Sequence, residues 1–188
     1  MRRRKGRSSG VEQALAEPAA TTAGDAGTAF EALYRDSRDD VFAYVAGLLR
    51  DRAAAEDVTA LAFERAYRRR GSYDPRRGSP RAWLFGIARN ATLDELRRRR
   101  RHAELTADPV DETVAPAEQS ADVALRRAAL RAAMGVLSGR ERELIALKFF
   151  AGLSNPEIAR VVGISESNAG TRLHRVIEKL RRACDEVA

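Results

Sequence analysis

The chain has almost none of the residues that build crosslinks, metal sites or membrane spans. Cys184 is the only cysteine among 188 residues, so no intramolecular disulfide can form. The only histidines, His102 and His174, are too few and too far apart in sequence to complete a metal site with that thiol. No run approaches about eighteen consecutive apolar residues, which argues against a transmembrane helix. We therefore expect a cytoplasmic protein without membrane insertion, metal or cofactor.

Recognisable catalytic motifs are missing as well. The sequence contains no G-x-x-x-x-G-K phosphate loop, no H-E-x-x-H zinc motif and no G-x-S-x-G nucleophile elbow. No segment alternates apolar and polar residues as a half-buried strand does, and no β-α-β rhythm occurs. The sequence predicts an all-α protein that is not an enzyme and has no catalytic residue.

The N-terminal segment, residues 1–27, lacks large apolar side chains. It begins MRRRKGR, as the charged region of a signal peptide does, but Ala, Gly, Thr and Ser follow instead of a sustained apolar run. A segment of this composition buries too little surface to offset the entropy of ordering it. We expect a disordered basic tail and no secretion signal.

Charge divides the rest of the chain into three parts. Residues 28–102 carry 17 basic and 11 acidic groups, and residues 126–188 carry 12 and 7. Between them, residues 103–125 carry six acids and no base, together with two prolines. The pattern predicts two small helical domains, 28–102 and 126–183, joined by a flexible acidic linker. The net charge of +7 favours a polyanionic partner.

The first domain is predicted to begin with one or two helices. Apolar residues from Phe30 to Leu49 follow helical spacing, with a possible break near residues 37–40. Asp51 is a good N-cap for the next helix. The inner face of that helix is predicted to hold Val58, Leu61, Ala62, Phe63, Ala66 and Tyr67.

A loop at residues 71–79 separates this helix from a third one. Ser79 caps the third helix and Pro80 begins it, and the helix runs into five arginines at 97–101. An arginine run at a helix end complements the helix dipole, but five in a row exceed that need. Aromatic and basic side chains in the loop suit an unpaired nucleic-acid strand. The loop residues are Tyr73, Arg76 and Arg77, and the helix is predicted to bury Trp83, Leu84, Ile87, Ala88 and Ala91.

The second domain is also predicted to be helical. A helix is expected from about Asp122 to Leu137, and Ser138 with Glu141 forms a capping box before the next one. The core of that helix is predicted to contain Leu144, Ile145, Leu147, Phe149 and Phe150.

Residues 154–180 have the pattern of a helix-turn-helix. Ser154 and Glu157 form a second capping box, Gly163 supplies a turn residue that tolerates positive φ, and Ser165 caps the second helix. Gly170 weakens that helix by about 1 kcal/mol relative to Ala. Two explanations for a glycine at this position are close approach of the backbone to DNA and evolutionary drift. Near its N-terminal end, one face of the second helix carries hydroxyl, amide and guanidinium groups, which can hydrogen-bond to base edges and phosphates. These residues are Ser167, Asn168, Thr171, Arg172 and Arg175.

These segments together resemble the extracytoplasmic-function (ECF) sigma factors, small members of the sigma-70 family of bacterial transcription initiation factors. AEDVTALAFERAY is similar to region 2.2 of the family, and WLFGIARNATLDELRRRRR is similar to regions 2.3 and 2.4. LSGRERELIAL, the helix-turn-helix and RLHRVIEKLR are similar to region 4. The resemblance implies that core RNA polymerase, promoter DNA and an anti-sigma factor are partners.

The resemblance also implies roles for individual residues. Glu56 and Asp57 are expected to dock on the β′ clamp helices of the polymerase, and region 4 is expected to rest on the β flap. Asn90, Asp94 and Arg97 are expected to act with the loop residues on the −10 element. The exposed residues of the second helix of the helix-turn-helix are expected to read the −35 element.

Two other interpretations fit parts of the sequence. The helix-turn-helix also resembles the DNA-binding domain of LuxR-type regulators, which would require an upstream receiver domain of alternating strands and helices. A helical adaptor without a DNA role would leave the arginine run and the polar helix face without a purpose.

Overall fold

A computed structural model describes residues 23–105, 130 and 132–185. Residues 132–135 are helical, and two short 3-10 turns lie at Arg70–Ser72 and Pro75–Arg77. Strands do not occur within these described ranges. The longer helices are α1 (Ala23–Leu49), α2 (Arg52–Arg68), α3 (Pro80–Leu105), α4 (Gly139–Phe149), α5 (Asn155–Val162) and α6 (Glu166–Asp185).

Helix α1 is continuous through residues 37–40, where the sequence allowed a break between two helices. Ser37 lies inside the helix and is buried, and the helix packs against both α2 and α3. Val41 is fully buried one helical turn later, and Tyr44 and Val45 are fully buried one turn beyond that, which accounts for the apolar spacing of the segment. The first module, as the packed unit α1–α3 is called here, is thus a three-helix bundle.

Helix α2 begins as predicted, and its inner face differs at one residue. The Asp51 carboxylate accepts a hydrogen bond from the Ala54 N–H at 3.0 Å, which is the expected N-cap. The prediction that Tyr67 is buried is wrong, since 49% of it is exposed. Tyr67 instead lies at the end of the buried stripe, where the Phe30 ring contacts it edge-on at a centroid distance of 5.3 Å.

Helix α3 is capped by Ser79, whose Oγ accepts from the Ala82 N–H at 3.1 Å. Four of the residues predicted to be buried here are buried, namely Leu84, Ile87, Ala88 and Ala91. Trp83 is only half-buried. Phe85, which the sequence did not assign to the core, is fully buried.

The second module, residues 132–185, packs α4 and α5 against α6. Both capping boxes are present, at Ser138 with Glu141 and at Ser154 with Glu157. The assignment of Phe149 and Phe150 to the core is wrong, because 62% and 41% of these residues are exposed. They lie at the C-terminal end of α4, beyond the turn in which Leu144, Ile145 and Leu147 are buried.

The turn between α5 and α6 has the geometry that the sequence predicted. Gly163 adopts the left-handed conformation at φ 79°, and its N–H and that of Ile164 both donate to the Ala159 carbonyl. Ser165 Oγ then accepts from the Asn168 N–H at 3.3 Å, which caps α6. The helix-turn-helix is therefore confirmed.

The predicted tail and linker lie mostly outside the described residues. The tail prediction is wrong for residues 23–27, where α1 already begins, and the linker prediction is wrong for residues 103–105, where α3 continues. Residues 1–22 and 106–125 are not described, so the disordered tail and flexible linker stay predictions there.

The two modules contact each other mainly through two helix pairs. Helix α1 packs against α4, and α3 packs against α5, so buried residues of both modules belong to one continuous cluster. Among the described helices, none is long and apolar enough to cross a membrane.

The arginine run at the end of α3 is partly neutralised by the chain itself. Arg97 pairs with Asp94 at 3.2 Å, and Arg98 pairs with Glu95 at 2.7 Å. Arg99 also pairs with Glu95, at 2.8 Å. These pairs leave the run less positive than its sequence suggests.

Arg99 also ties the end of α3 to the start of α2. Its Nη2 lies 2.6 Å from Asp51, the N-cap of α2. The Ala54 N–H and then Arg99 lower the pKa of Asp51. Hydrogen bonds from Arg98 and Arg99 hold the pKa of Glu95 at about 2, against the burial that opposes them.

Two glycine substitutions in the helix-turn-helix should have opposite effects. Gly163→Ala places a side chain in the left-handed region and should destabilise the fold by about 1–2 kcal/mol. Gly170→Ala should stabilise it by about 0.5–1 kcal/mol, because a Cβ there meets Asn155 Nδ2 only at an ordinary 3.6 Å. Urea unfolding of the full chain measures both, and equal stabilities of the two variants would contradict the turn geometry.

Acid unfolding should depend on Glu95. Because its folded pKa lies below the unfolded value of 4.5, its stabilisation is complete above that value and is lost as the pH falls towards about 2. Glu95→Gln should flatten the fall in unfolding free energy between these pH values, measured by urea titration. Glu31→Gln is the control, since the Glu31–Arg35 pair is exposed on both sides and solvent screens it. Equal slopes for the two variants would contradict the assignment.

Candidate nucleic-acid interface

The first half of α6 presents the polar face that the sequence predicted. Ala169, Leu173 and Val176 turn inward and are buried, which leaves the opposite face in solvent. Four of the five predicted −35 residues are exposed and the fifth is half-buried. The exposed residues are Ser167, Thr171, Arg172 and Arg175, and the half-buried one is Asn168.

One hydrogen bond organises this face. Arg172 Nε donates to Asn168 Oδ1 at 2.8 Å, one helical turn away. The bond uses only the Nε–H group of Arg172, and the residue is otherwise exposed. An arginine held in this way presents a fork of donors of the kind that reads guanine or binds phosphate.

A cleft of about 510 Å³ lies between the loop that precedes α3 and the first turns of α3. Tyr73, Arg77 and Asn90, three of the predicted −10 residues, line it together with Trp83. The Tyr73 and Trp83 rings are tilted at 58° with their centroids 5.7 Å apart. Two adjacent aromatic rings beside an arginine offer stacking and charge neutralisation to an unpaired base and its phosphate.

The loop around the cleft is held by short-range hydrogen bonds. The Asp74 carboxylate accepts from the Arg76 N–H at 3.0 Å, and the Tyr73 hydroxyl donates to the Gly78 carbonyl at 3.0 Å. Gly78 has a φ of 140°, a conformation that residues with side chains rarely adopt. The loop therefore positions Tyr73 through its own backbone.

The other predicted −10 residues lie outside the cleft. Arg76 is exposed on the 3-10 turn, and Asp94 and Arg97 are exposed farther along α3. Asp94 accepts from both Arg65 and Arg97, at 3.4 and 3.2 Å. The predicted −10 set is thus divided between a cleft and a charged strip of α3.

The two predicted docking residues are both exposed on α2, and only Glu56 borders a groove. Glu56 pairs with Arg52 at 3.0 Å, and Asp57 lies outside the groove lining. The buried hydroxyl of Thr59, another lining residue, has no hydrogen-bond partner among the described atoms. Three aromatic residues complete the groove, namely Tyr34, Phe42 and Phe63.

Sequence reasoning missed two kinds of site residue. Trp83 was assigned to the core, although its neighbours in the cleft, Ile87 and Asn90, follow at helical spacing and mark the same helix side. Tyr34 and Phe42 belong to the helically spaced apolar residues between Phe30 and Leu49, and that spacing alone does not distinguish the lining of a groove from a core. Arg160 and Val161 also line the cleft, from the second module, and no sequence signal indicated that contact.

Comparison with known proteins places both modules in one family. The family model for sigma-70 region 2 matches residues 33–102, and the model for sigma-70 region 4 matches residues 127–180. The solved structure of the sigma factor RpoE with the anti-sigma factor NepR from Bartonella quintana has a TM-score of 0.70 at 23% identity, covering 84% of this chain and 98% of that one. CnrH, solved with the cytosolic domain of CnrY, has a TM-score of 0.61 at 26% identity, covering 86% and 91%.

Curated relatives agree with these matches. The ECF sigma factor BldN of Streptomyces coelicolor is 34% identical over 157 residues, covering 82% of this chain and 60% of BldN. CarQ of Myxococcus xanthus is 37% identical over 163 residues, covering 85% and 91%. The ECF sigma factor SigK of Mycobacterium sp. (strain KMS) is 31% identical over 160 residues, covering 81% of each chain. With both regions matched in order and relatives matched over most of its length, the chain belongs to the ECF RNA polymerase sigma factors of the sigma-70 family.

Proposed function

We propose that this chain binds core RNA polymerase in the cytoplasm and directs promoter-specific initiation, without catalysing a reaction itself. The observation that best supports this proposal is that one chain contains two modules, each matched to a sigma region. Each module presents a different candidate surface for nucleic acid. The exposed face of α6 suits a duplex groove. The aromatic cleft before α3 suits a single strand. A promoter that must be both recognised and opened requires both surfaces.

The face of α6 is proposed to read the −35 element. A helix placed in the major groove contacts base edges with the residues of its first turns. Arg172, held by Asn168, and Arg175 supply the charged donors, while Ser167 and Thr171 supply hydroxyl groups. This arrangement supports direct contact with both bases and phosphates.

The cleft before α3 is proposed to hold the melted −10 strand. Tyr73 and Trp83 offer ring faces, Asn90 offers an amide at the edge, and Arg77 offers charge. Arg76 and the strip of Asp94 and Arg97 lie where they would contact the neighbouring backbone or duplex. In this proposal the carboxylate of Asp94 orients Arg97 in addition to meeting a base.

The groove beside Glu56 is proposed to dock on the β′ clamp helices of the polymerase. Its aromatic lining supplies apolar area, and Arg38 and Arg52 at its border add charge opposite to that of Glu56. Asp57 adds negative charge beside the groove, and the second module is proposed to rest on the β flap.

An anti-sigma factor is proposed as a further partner. The structure of RpoE, similar in fold, contains the anti-sigma factor NepR. The exposed apolar residues of this chain, Val136 and Phe149 among them, offer area for such a protein to cover. The alternative of a LuxR-type regulator requires a receiver domain with strands, whereas residues 23–105 form helices and 3-10 turns with short connections and contain no strand.

The chain should need the polymerase to recognise a promoter. Its positive charge is divided between two small modules, and linking two weak sites on one scaffold raises their effective concentration. A mobility shift on a −35/−10 fragment at physiological salt should show weak binding alone and a specific complex with core enzyme, with permanganate-reactive thymines. Strong specific binding without polymerase would favour a free-standing regulator.

Alanine variants of Arg172 and Arg175 in α6 should show whether each arginine contacts a base or a phosphate. Arg172→Ala or Arg175→Ala should cost about 1–3 kcal/mol at one base position if that arginine reads a base, or lower the salt slope by about one unit if it binds phosphate. Transcription with core enzyme on promoters mutated at single −35 positions distinguishes the two. Arg181→Ala, later on the same helix and paired with Glu178, is the control. Normal initiation by both variants on every promoter would remove α6 from the −35 assignment.

A further inference from the structure

His174 lies on the exposed face of α6 that is proposed to read the −35 element. It follows Thr171 by three residues and Ser167 by seven, and all three are exposed, so their side chains leave the helix on one side. Leu173 and Val176 are buried and point towards the core. The sequence prediction for this face did not include His174, although helical spacing places it there.

The position of His174 along α6 suits a phosphate better than a base edge. A helix in the major groove contacts bases with the residues of its first turns. His174 lies two turns after Ser167, which is about 10 Å along the axis at about 1.5 Å per residue. The major groove is about 12 Å wide, so a helix that enters it by its N-terminal end brings a side chain two turns along to the phosphates of the groove wall.

His174 also lines a groove of about 560 Å³ whose other polar residues are mainly basic. Arg175, Lys179 and Arg182 line this groove on successive turns of α6. Arg175 is already proposed to meet DNA. The groove therefore continues the proposed DNA-binding surface along the helix and places His174 among groups that attract phosphate.

The carboxylates at this groove are both paired. Glu178, the one acid among the described lining residues, pairs with Arg181 at 2.6 Å. Glu141 of α4 reaches the groove through Lys179, to which it pairs at 3.0 Å. The remaining lining residues are uncharged. The described lining thus offers an imidazolium no unpaired carboxylate, and an incoming phosphate would supply its negative partner.

The charge of a histidine at this position is coupled to phosphate binding. Histidine is the side chain whose charge changes between about pH 5 and pH 8. A nearby phosphate favours the protonated imidazole, because opposite charges attract. The coupling is reciprocal, so a phosphate that binds the protonated form more tightly is itself bound more tightly as the pH falls.

We propose that His174 is a further DNA-contacting residue of α6, whose protonated imidazole binds a phosphate at the wall of the −35 major groove. The inference rests on the proposed function, because it takes α6 as the helix that reads the −35 element. The proton comes from solvent, and no covalent bond other than the N–H bond changes. Binding of the holoenzyme to a promoter with a −35 element therefore takes up a proton at this residue.

Three holoenzymes test the proposal, assembled from core enzyme with the wild-type chain, His174→Gln or His174→Lys. Gln carries no charge and Lys is charged throughout the range from about pH 6 to about pH 8, and both residues suit an exposed helix position. Binding of a fluorescently labelled −35/−10 promoter fragment is measured by anisotropy at both ends of this range and over a series of salt concentrations. The core enzyme is common to all three, so its own titration cancels in the comparison.

The wild-type chain should bind like His174→Gln at about pH 8 and like His174→Lys at about pH 6. Its affinity relative to His174→Gln should rise by roughly two- to fivefold between these values, which is the range of an exposed ion pair. The salt slope should steepen by about one unit, as expected for one added phosphate contact. His102→Gln is the matched control, since His102 is the only other histidine and lies on α3.

Three results would overturn the proposal. The first is an equal pH dependence for the wild-type chain and His174→Gln. The second is an equal loss of pH dependence in His102→Gln, which would place the proton elsewhere. The third is weaker binding by His174→Lys than by the wild-type chain at both pH values, which would mean that a neutral imidazole contacts a base. Arg172→Ala distinguishes this failure from that of the proposed function: if it weakens −35 recognition while the His174 variants do not, α6 still reads the element and only the inference fails.

Discussion

Glu143 imposes the main constraint on how the two modules pack. It is a charged residue, 7% exposed, in a helix whose neighbours Leu144 and Ile145 belong to the core. A carboxylate in such a place is costly unless a positive partner neutralises it, and Arg89 of the other module is that partner. Helix α4 can therefore bury this face against the first module only while Arg89 is present. The packing of α1 with α4 and of α3 with α5 depends on this pair.

The same constraint links packing to function. The contact between the modules combines this ion pair with apolar packing, because buried residues of both modules form one continuous cluster. The packing of α1 with α4 and of α3 with α5 holds the exposed face of α6 and the cleft before α3 in one arrangement. The positions of the two proposed nucleic-acid surfaces in the free chain therefore follow from the packing of the modules.

The sequence was sufficient for the local structure because local signals decide it. Capping boxes at Ser138 and Ser154 and the left-handed Gly163 are determined by residues within one helical turn, and all are found as predicted. The exposed face of α6 follows from helical spacing alone. Apolar residues at helix ends were misassigned, as Tyr67 and Phe149 show, because hydrophobicity does not say where a buried stripe stops.

Contacts between distant segments could not be predicted in this way. Arg89 and Glu143 are 54 positions apart, and nothing in either local sequence marks them as partners. The division of the predicted −10 residues between a cleft and the strip of Asp94 and Arg97 depends on how the loop folds back on α3. The wall that Arg160 forms depends on the packing of whole modules. Sequence patterns carry no direct information on either arrangement.

The most direct test is the structure of this chain bound to core polymerase and an opened promoter, determined by cryo-electron microscopy. The quantity to measure is the contact between the Tyr73 and Trp83 rings and the unpaired bases of the −10 strand. We expect a base stacked against one of these rings, with the polar face of α6 in the major groove of the −35 element. Melted DNA whose bases all lie away from the cleft before α3 would contradict the account.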